Sequence, residues 1–143
     1  MVGIPTELFS GGNRASITQL GQQVTAPFAY DLVVAKTLET DNVAVTFYEP
    51  RVDNQFVVTG ILLTADSNVT GSALIDIFET AAEGSGTIDK AILHVEILKN
   101  GNRDITGLNI LVTEGKHINA KTDDDDVFVT IMGYYIPSVP ENQ

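Results

Sequence analysis

Val127-Phe128-Val129-Thr130-Ile131-Met132-Gly133-Tyr134-Tyr135-Ile136-Pro137 is the stretch whose reading decides the fold. Side chains of an extended chain alternate between its two faces. Val127, Val129, Ile131 and Tyr135 therefore share one face, and Phe128, Met132, Tyr134 and Ile136 the other. β-Branched and aromatic residues fill both sets, which predicts a strand. Two apolar faces are more than a one-sided core needs, so a second buried surface is expected, from a facing sheet or a subunit contact. Just upstream, Gly115-Lys116-His117-Ile118-Asn119-Ala120 leads through Asp123-Asp124-Asp125-Asp126 into this strand. The two together read as the closing unit of an all-β domain.

The rest of the chain repeats the pattern. Val24 to Tyr30, Leu32 to Leu38 and Val43 to Glu49 are short, apolar and divided by turn formers such as Pro27 and Asp41-Asn42. Phe56 to Thr64 is apolar on both alternating sets, as expected of a central strand covered on both faces, with Gly60 as a place for a bulge or a close approach. Ser72 to Thr80 fits a strand better than a helix. Ala91 to Leu98 puts Ala91, Leu93, Val95 and Ile97 on a core face and His94 and Glu96 on a wetter one. Lys99-Asn100-Gly101-Asn102 is a tight-turn signal, because Asn and Gly tolerate positive φ. Leu108 to Val112 comes next, then the turn at Glu114-Gly115-Lys116. Eight or nine short strands without a long helix predict an all-β, jelly-roll-like antiparallel sandwich of about eight strands. An immunoglobulin-like sandwich is the runner-up, although its core Cys and Trp marks are missing.

Residues 1–23 behave differently. Ile4, Pro5, Leu8, Phe9, Ile17 and Leu20 show no sustained period, and Gly11-Gly12-Asn13 interrupts them. The expected organisation is an extended N-terminal arm over 1–23 and a sandwich domain over 24–143. An arm that keeps its apolar residues is expected to lie on its own domain or on a neighbour.

Composition narrows the function. The 143 residues carry eight Lys and Arg against nineteen Asp and Glu, a formal net charge of −11. That charge repels nucleic-acid phosphates and anionic headgroups, so neither nucleic acid nor a membrane surface is an expected partner. No run approaches the ~18 apolar residues of a membrane span, and the start lacks the marks of a signal peptide. A soluble protein made in the cytoplasm is expected. With no cysteine, disulfides, thiolate nucleophiles and cysteine-bound zinc are excluded.

Catalytic patterns are missing too. The sequence has no phosphate-binding Gly loop, nucleophile elbow or helical His pair. His94 and His117 are the only histidines. They are expected to be separate polar surface residues, and no metal or cofactor is expected. Consecutive acids on extended backbone diverge, so Asp123 to Asp126 read as a solvated acidic hinge guarding the strands beside it, not as a Ca²⁺ site. Asp76 with Glu79, and Asp104 with Glu114, lack any pattern that separates a glycosidase pair from ordinary surface acids. Asn68-Val69-Thr70 matches a glycosylation sequon without a secretory signal beside it.

The stretch from about Phe56 to Pro137 resembles the small all-β virion proteins of tailed bacteriophages, notably jelly-roll head decoration (cement) proteins. The resemblance rests on the strand Phe56 to Thr64, on Gly115-Lys116 followed by Ile118-Asn119-Ala120, and on the ending Thr130 to Pro137. The apolar arm before the sandwich is similar to arms that such proteins extend to a neighbouring subunit. The resemblance implies a non-enzymatic protein on the exterior of the capsid, partnered by the major capsid protein and by itself, often as a homotrimer. Ile4, Pro5, Leu8, Phe9, Tyr134, Tyr135 and Ile136 are then the expected capsid or subunit contacts. The alternative is a carbohydrate-binding module of a tail or receptor-binding structure, using the loop Asp66 to Thr70 with Tyr134 or Tyr135.

Overall fold

A computed structural model describes residues 7–10, 13–17, 23–24, 31–40 and 43–138, the first three segments as backbone strands only. In chain order the strands are β1 (Glu7–Ser10), β2 (Asn13–Ile17), β3 (Gln23–Val24), β4 (Leu32–Leu38), β5 (Val45–Tyr48) and β6 (Asn54–Ala65). They continue as β7 (Ser72–Thr80), β8 (Lys90–Leu98), β9 (Asn102–Ile105), β10 (Ile110–Leu111), β11 (His117–Thr122) and β12 (Val127–Pro137). No described residue is helical.

Nine of these strands, β4 to β12, form two antiparallel sheets. One has the order β10-β6-β12-β4, with β9 also on the β6 edge, and the other runs β5-β11-β7-β8. Only β7 and β8 follow each other within one sheet; every other connection from β4 to β12, apart from the step from β9 to β10 along one edge, crosses between sheets. The edge strands β9 and β10 share the β6 edge and act as one interrupted strand, which brings the expected eight to nine. The strand order is that of a jelly roll. An immunoglobulin-like sandwich would pair its first two strands in one sheet, whereas β4 and β5 fall in different ones.

Strands β4, β7 and β12 have the limits read from the sequence. Strand β9 escaped that reading, because Asn102-Arg103-Asp104-Ile105 is an edge strand with no apolar period. The turn at Asn100 forms as expected, with Asn100 at φ 60° and the Gly101 N–H donating to the Leu98 carbonyl at 2.8 Å. It carries the chain from one sheet to the other rather than closing a hairpin. Most of the expected strand Val24 to Tyr30 lies outside the described residues. Within the expected arm, β1, β2 and β3 pair with one another in an antiparallel ribbon.

The core lies between the two sheets. From β12 it takes Val127, Val129 and Ile131, with Tyr135 packed against its end, and from β7 it takes Ala73, Ile75 and Ile77. Burying each large apolar side chain contributes about 1.5–3 kcal/mol relative to leaving it in water.

Strand β6 explains its double apolar pattern by a bulge. Its partners on β12 step from Gly60, opposite Met132, to Val58, opposite Gly133, leaving Thr59 as the extra residue. The inner face therefore switches phase, from Phe56 and Val58 to Ile61, Leu63 and Ala65, all of them core residues. Much of what reads as two covered faces is one covered face in two phases. Gly60 is the close approach expected from the sequence, since a Cβ there would sit 3.0 Å from the Met132 side chain. Gly133 is more constrained, because a Cβ would lie 2.1 Å from the Val57 carbonyl oxygen and 2.5 Å from the Phe56 ring.

Candidate functional site

Cross-strand partners share a face, so register identifies the outward side of the β10-β6-β12-β4 sheet. Leu111, Val57 and Tyr134 form one row, and Val33 and Met132 with Gly60 the next. Ala35, Thr130 and Leu62 follow, then Thr37, Phe128 and Thr64. Asp104, opposite Leu62, is the one charge among these paired positions and sits on the edge strand β9. Val57 and Met132 are buried, but Val33 is 50%, Leu111 46% and Phe128 44% exposed. A sheet face with one peripheral charge and large apolar side chains open to solvent is the feature that asks for a partner.

The outward side of the β5-β11-β7-β8 sheet has the opposite character. Ser72 donates to Glu96 at 2.6 Å, and His94 pairs with Asp76 on the neighbouring strand. Its other half is covered by the segment 81–89. Asn119, fully buried, donates to the carbonyls of Ala82 at 3.1 Å and Ser85 at 2.9 Å. Lys121 donates to the Gly86 carbonyl at 3.1 Å and lies 5.5 Å from the Phe78 ring centroid. The Gly84 N–H donates to the Thr46 hydroxyl at 2.9 Å. The Asn119 amide nitrogen is thus satisfied twice, while its Oδ1 is buried without a hydrogen-bond partner among the described residues.

The two ends of the sandwich differ as well. At one end the four aspartates diverge, each to a different piece of backbone or loop. Asp123 accepts the Leu74 N–H at 2.7 Å, Asp124 the Thr70 N–H at 2.8 Å, and Asp125 both the N–H and the hydroxyl of Thr40 at 2.8 and 2.6 Å. Asp126, at φ 58°, accepts from the Asn68 side-chain amide. The tract is a staple for the loops that follow β4 and β6, a role its composition alone did not show. Hydrogen bonds from the Thr40 hydroxyl and N–H hold the Asp125 carboxyl below the usual carboxylate range.

At the other end, Tyr48 stacks on Phe56 with ring centroids 4.6 Å apart, and Tyr135 leans on Phe56 at 5.3 Å. The Arg51 guanidinium lies 4.5 Å over the Tyr135 ring. Burial pushes the Tyr48 phenol up, opposed by a hydrogen bond from the Arg51 backbone. The Tyr135 N–H donates to the Asp31 carboxylate at 2.9 Å. A shallow cleft of about 520 Å³ opens here, with Glu49, Pro50 and Leu32 on its walls.

The residues singled out in the sequence are scattered among these places. Tyr135 turns inward and is engaged by Phe56 and Arg51, whereas Tyr134 faces outward beside Val57. Ile136 is half-buried opposite Gln55. Leu8 and Phe9 lie in β1, opposite Ala15 and Arg14, and Ile4 and Pro5 lie outside the described residues. The loop Asp66 to Thr70 follows Ala65, which pairs with Val127, while Tyr135 pairs with Phe56 at the far end of β12. The two halves of the expected glycan surface are therefore at opposite ends of the sandwich. Asp76 faces outward and Glu79, three residues on, inward; Glu79 is buried, accepts the Thr113 N–H at 3.0 Å and meets Lys90 at 3.3 Å. They do not converge on a substrate. Among the described residues no three His, Cys, Asp or Glu side chains are placed to hold a metal ion.

No protein-family model and no curated protein matches the chain. Among solved structures it is similar to a chain of the cyanophage Pam1 capsid asymmetric unit, with 20% identity and a TM-score of 0.36 over 73% of this chain and 81% of that one. It is also similar to a chain of the T13 IBDV viral particle, with 12% identity and a TM-score of 0.34. That likeness covers 73% of this chain, which spans 29% of the viral one.

Proposed function

We propose that this chain is a non-enzymatic virion structural protein, a head decoration (cement) protein that fastens onto the capsid shell as a symmetric oligomer. The observation that carries the reading is the apolar outer face of the β10-β6-β12-β4 sheet, centred on Val33 and Phe128, with Asp104 as its one charge among the paired positions. A face of this kind costs solubility unless a second protein surface covers it. Jelly rolls are common in capsid and lectin domains, and that link from fold to role is an analogy. The resemblance of Phe56 to Pro137 to cement proteins favours the capsid, with the major capsid protein as partner. The arm residues Ile4, Pro5, Leu8 and Phe9 provide a second contact, with Tyr134 and Ile136 at the rim of the first.

The test is co-sedimentation with capsid shells assembled without this protein. Phe128→Glu is expected to abolish binding while the purified chain stays folded, and deletion of residues 1–12 to weaken it. Retained binding by Phe128→Glu removes the sheet face from the mechanism.

A further inference from the structure

Four strand edges bound the sandwich, and three are defended as natural sheets usually are. Strand β5 and the pair β9 and β10 are short, at four, four and two residues. Strand β4 carries Lys36 on its core-facing side, reaching across to the Thr46 carbonyl at 2.6 Å. The fourth edge, β8, is nine residues long and has no proline. Its core-facing positions are Ile92, Leu93, Val95 and Ile97, without an inward charge, while Ala91, opposite Phe78, faces outward. The one irregularity is a bulge at Ile92, which leaves Leu93 to Leu98 regular.

Register shows which backbone groups are free. The Lys99 N–H donates to the Gly71 carbonyl at 2.9 Å, and Gly71 directly precedes the pair Ser72 and Leu98. Alternate residues of an antiparallel strand bond to alternate sides. Ile97, Val95 and Leu93 therefore bond to β7, and the N–H and C=O groups of Leu98, Glu96 and His94 point to the open edge. No described strand pairs there.

We infer that β8 is a dimerisation edge, pairing antiparallel with β8 of a second copy about a two-fold axis through Val95. In that register His94 stands opposite Glu96 of the second copy, and Glu96 opposite its His94. Leu93 meets Ile97 of the second copy on the core side, and Leu98 lies opposite the bulge at Ile92. Opposite polar groups are thus matched and apolar groups meet apolar ones. Moving the axis by one residue would instead set Glu96 against Glu96, or His94 against His94. The two four-stranded sheets become one continuous sheet of eight, and Leu98, 69% exposed in the single chain, gains a neighbour. This contact involves neither the apolar face of the other sheet nor the capsid, and it specifies a two-fold association where the family resemblance implies a trimer.

Sedimentation and oxidative cross-linking test it. The whole chain is expected to sediment at twice its 15.4 kDa mass. Glu96→Lys, which sets a lysine against His94 at two symmetric places, should weaken the dimer by about tenfold. The double variant His94→Glu with Glu96→Lys restores opposite charges and should recover most of that loss. The chain has no cysteine, so Val95→Cys should give a symmetric disulfide dimer, and Leu93→Cys, facing Ile97, should not. A chain that remains monomeric, a Glu96→Lys dimer as tight as the parent, or equal cross-linking of the two cysteine variants would each overturn the inference.

Discussion

Phe78 and Phe128 occupy equivalent places, each on the outward face of its sheet, yet Phe78 is fully buried and Phe128 is 44% exposed. The difference lies in what the chain supplies around them. Beside Phe78, Asn119 and Lys121 hold the segment 81–89 against the sheet through three backbone carbonyls. Around Phe128 the paired neighbours are Thr37 and Thr64, and among the described residues no hydrogen-bond network brings a loop over them. One face is covered over half its extent by the chain's own loop, with Leu74 and Leu98 left exposed on the other half. The other has Val33, Leu111 and Phe128 open to solvent at its centre and edges, and the proposed function turns on that contrast.

Truncation measures it most sharply. Phe78→Ala is expected to cost about 3–5 kcal/mol in urea unfolding, the range for deleting a buried aromatic ring. Phe128→Ala should stay within about 0.5 kcal/mol, as surface substitutions usually do. Equal losses would mean that Phe128 is already packed within the monomer and would break the comparison.

A smaller effect concerns how the loops next to the open face are held. The Asp125 carboxyl is lowered by its hydrogen bonds from Thr40, so its folded pKa lies below the unfolded value of about 3.9. The stability it contributes is present above that unfolded value and is lost as pH falls through the folded one. Asp125→Asn should therefore lower the urea midpoint at about pH 7, and the difference should shrink as pH falls below the unfolded value toward the folded one. A difference that persists in acid would show that the side-chain geometry, and not the charge, ties the loop.

Much of the sandwich is legible in the sequence because the signal that makes a strand is local. Alternation fixes Leu32 to Leu38, Ser72 to Thr80 and Val127 to Pro137, and the split of β12 into Val127, Val129, Ile131 and Tyr135 against Phe128, Met132, Tyr134 and Ile136 matches its register. Pairing between distant strands is not local, which is why the bulge at Thr59 reads from the sequence as a doubly covered strand. The same limit hides the separation of Asp66 to Thr70 from Tyr135. For the candidate site, the two apolar faces of β12 gave the right question. The answer needed Asn119, a polar residue inside a strand whose value lies in the loop it holds, and no pattern in the sequence marks it.

The contrast between the two outer faces is tested most directly by a photo-crosslinking residue placed at Phe128 and, separately, at Leu74 on the opposite sheet. With capsid shells present, the account predicts adducts to the shell protein from position 128 and none from position 74. Adducts from position 74 alone would contradict it.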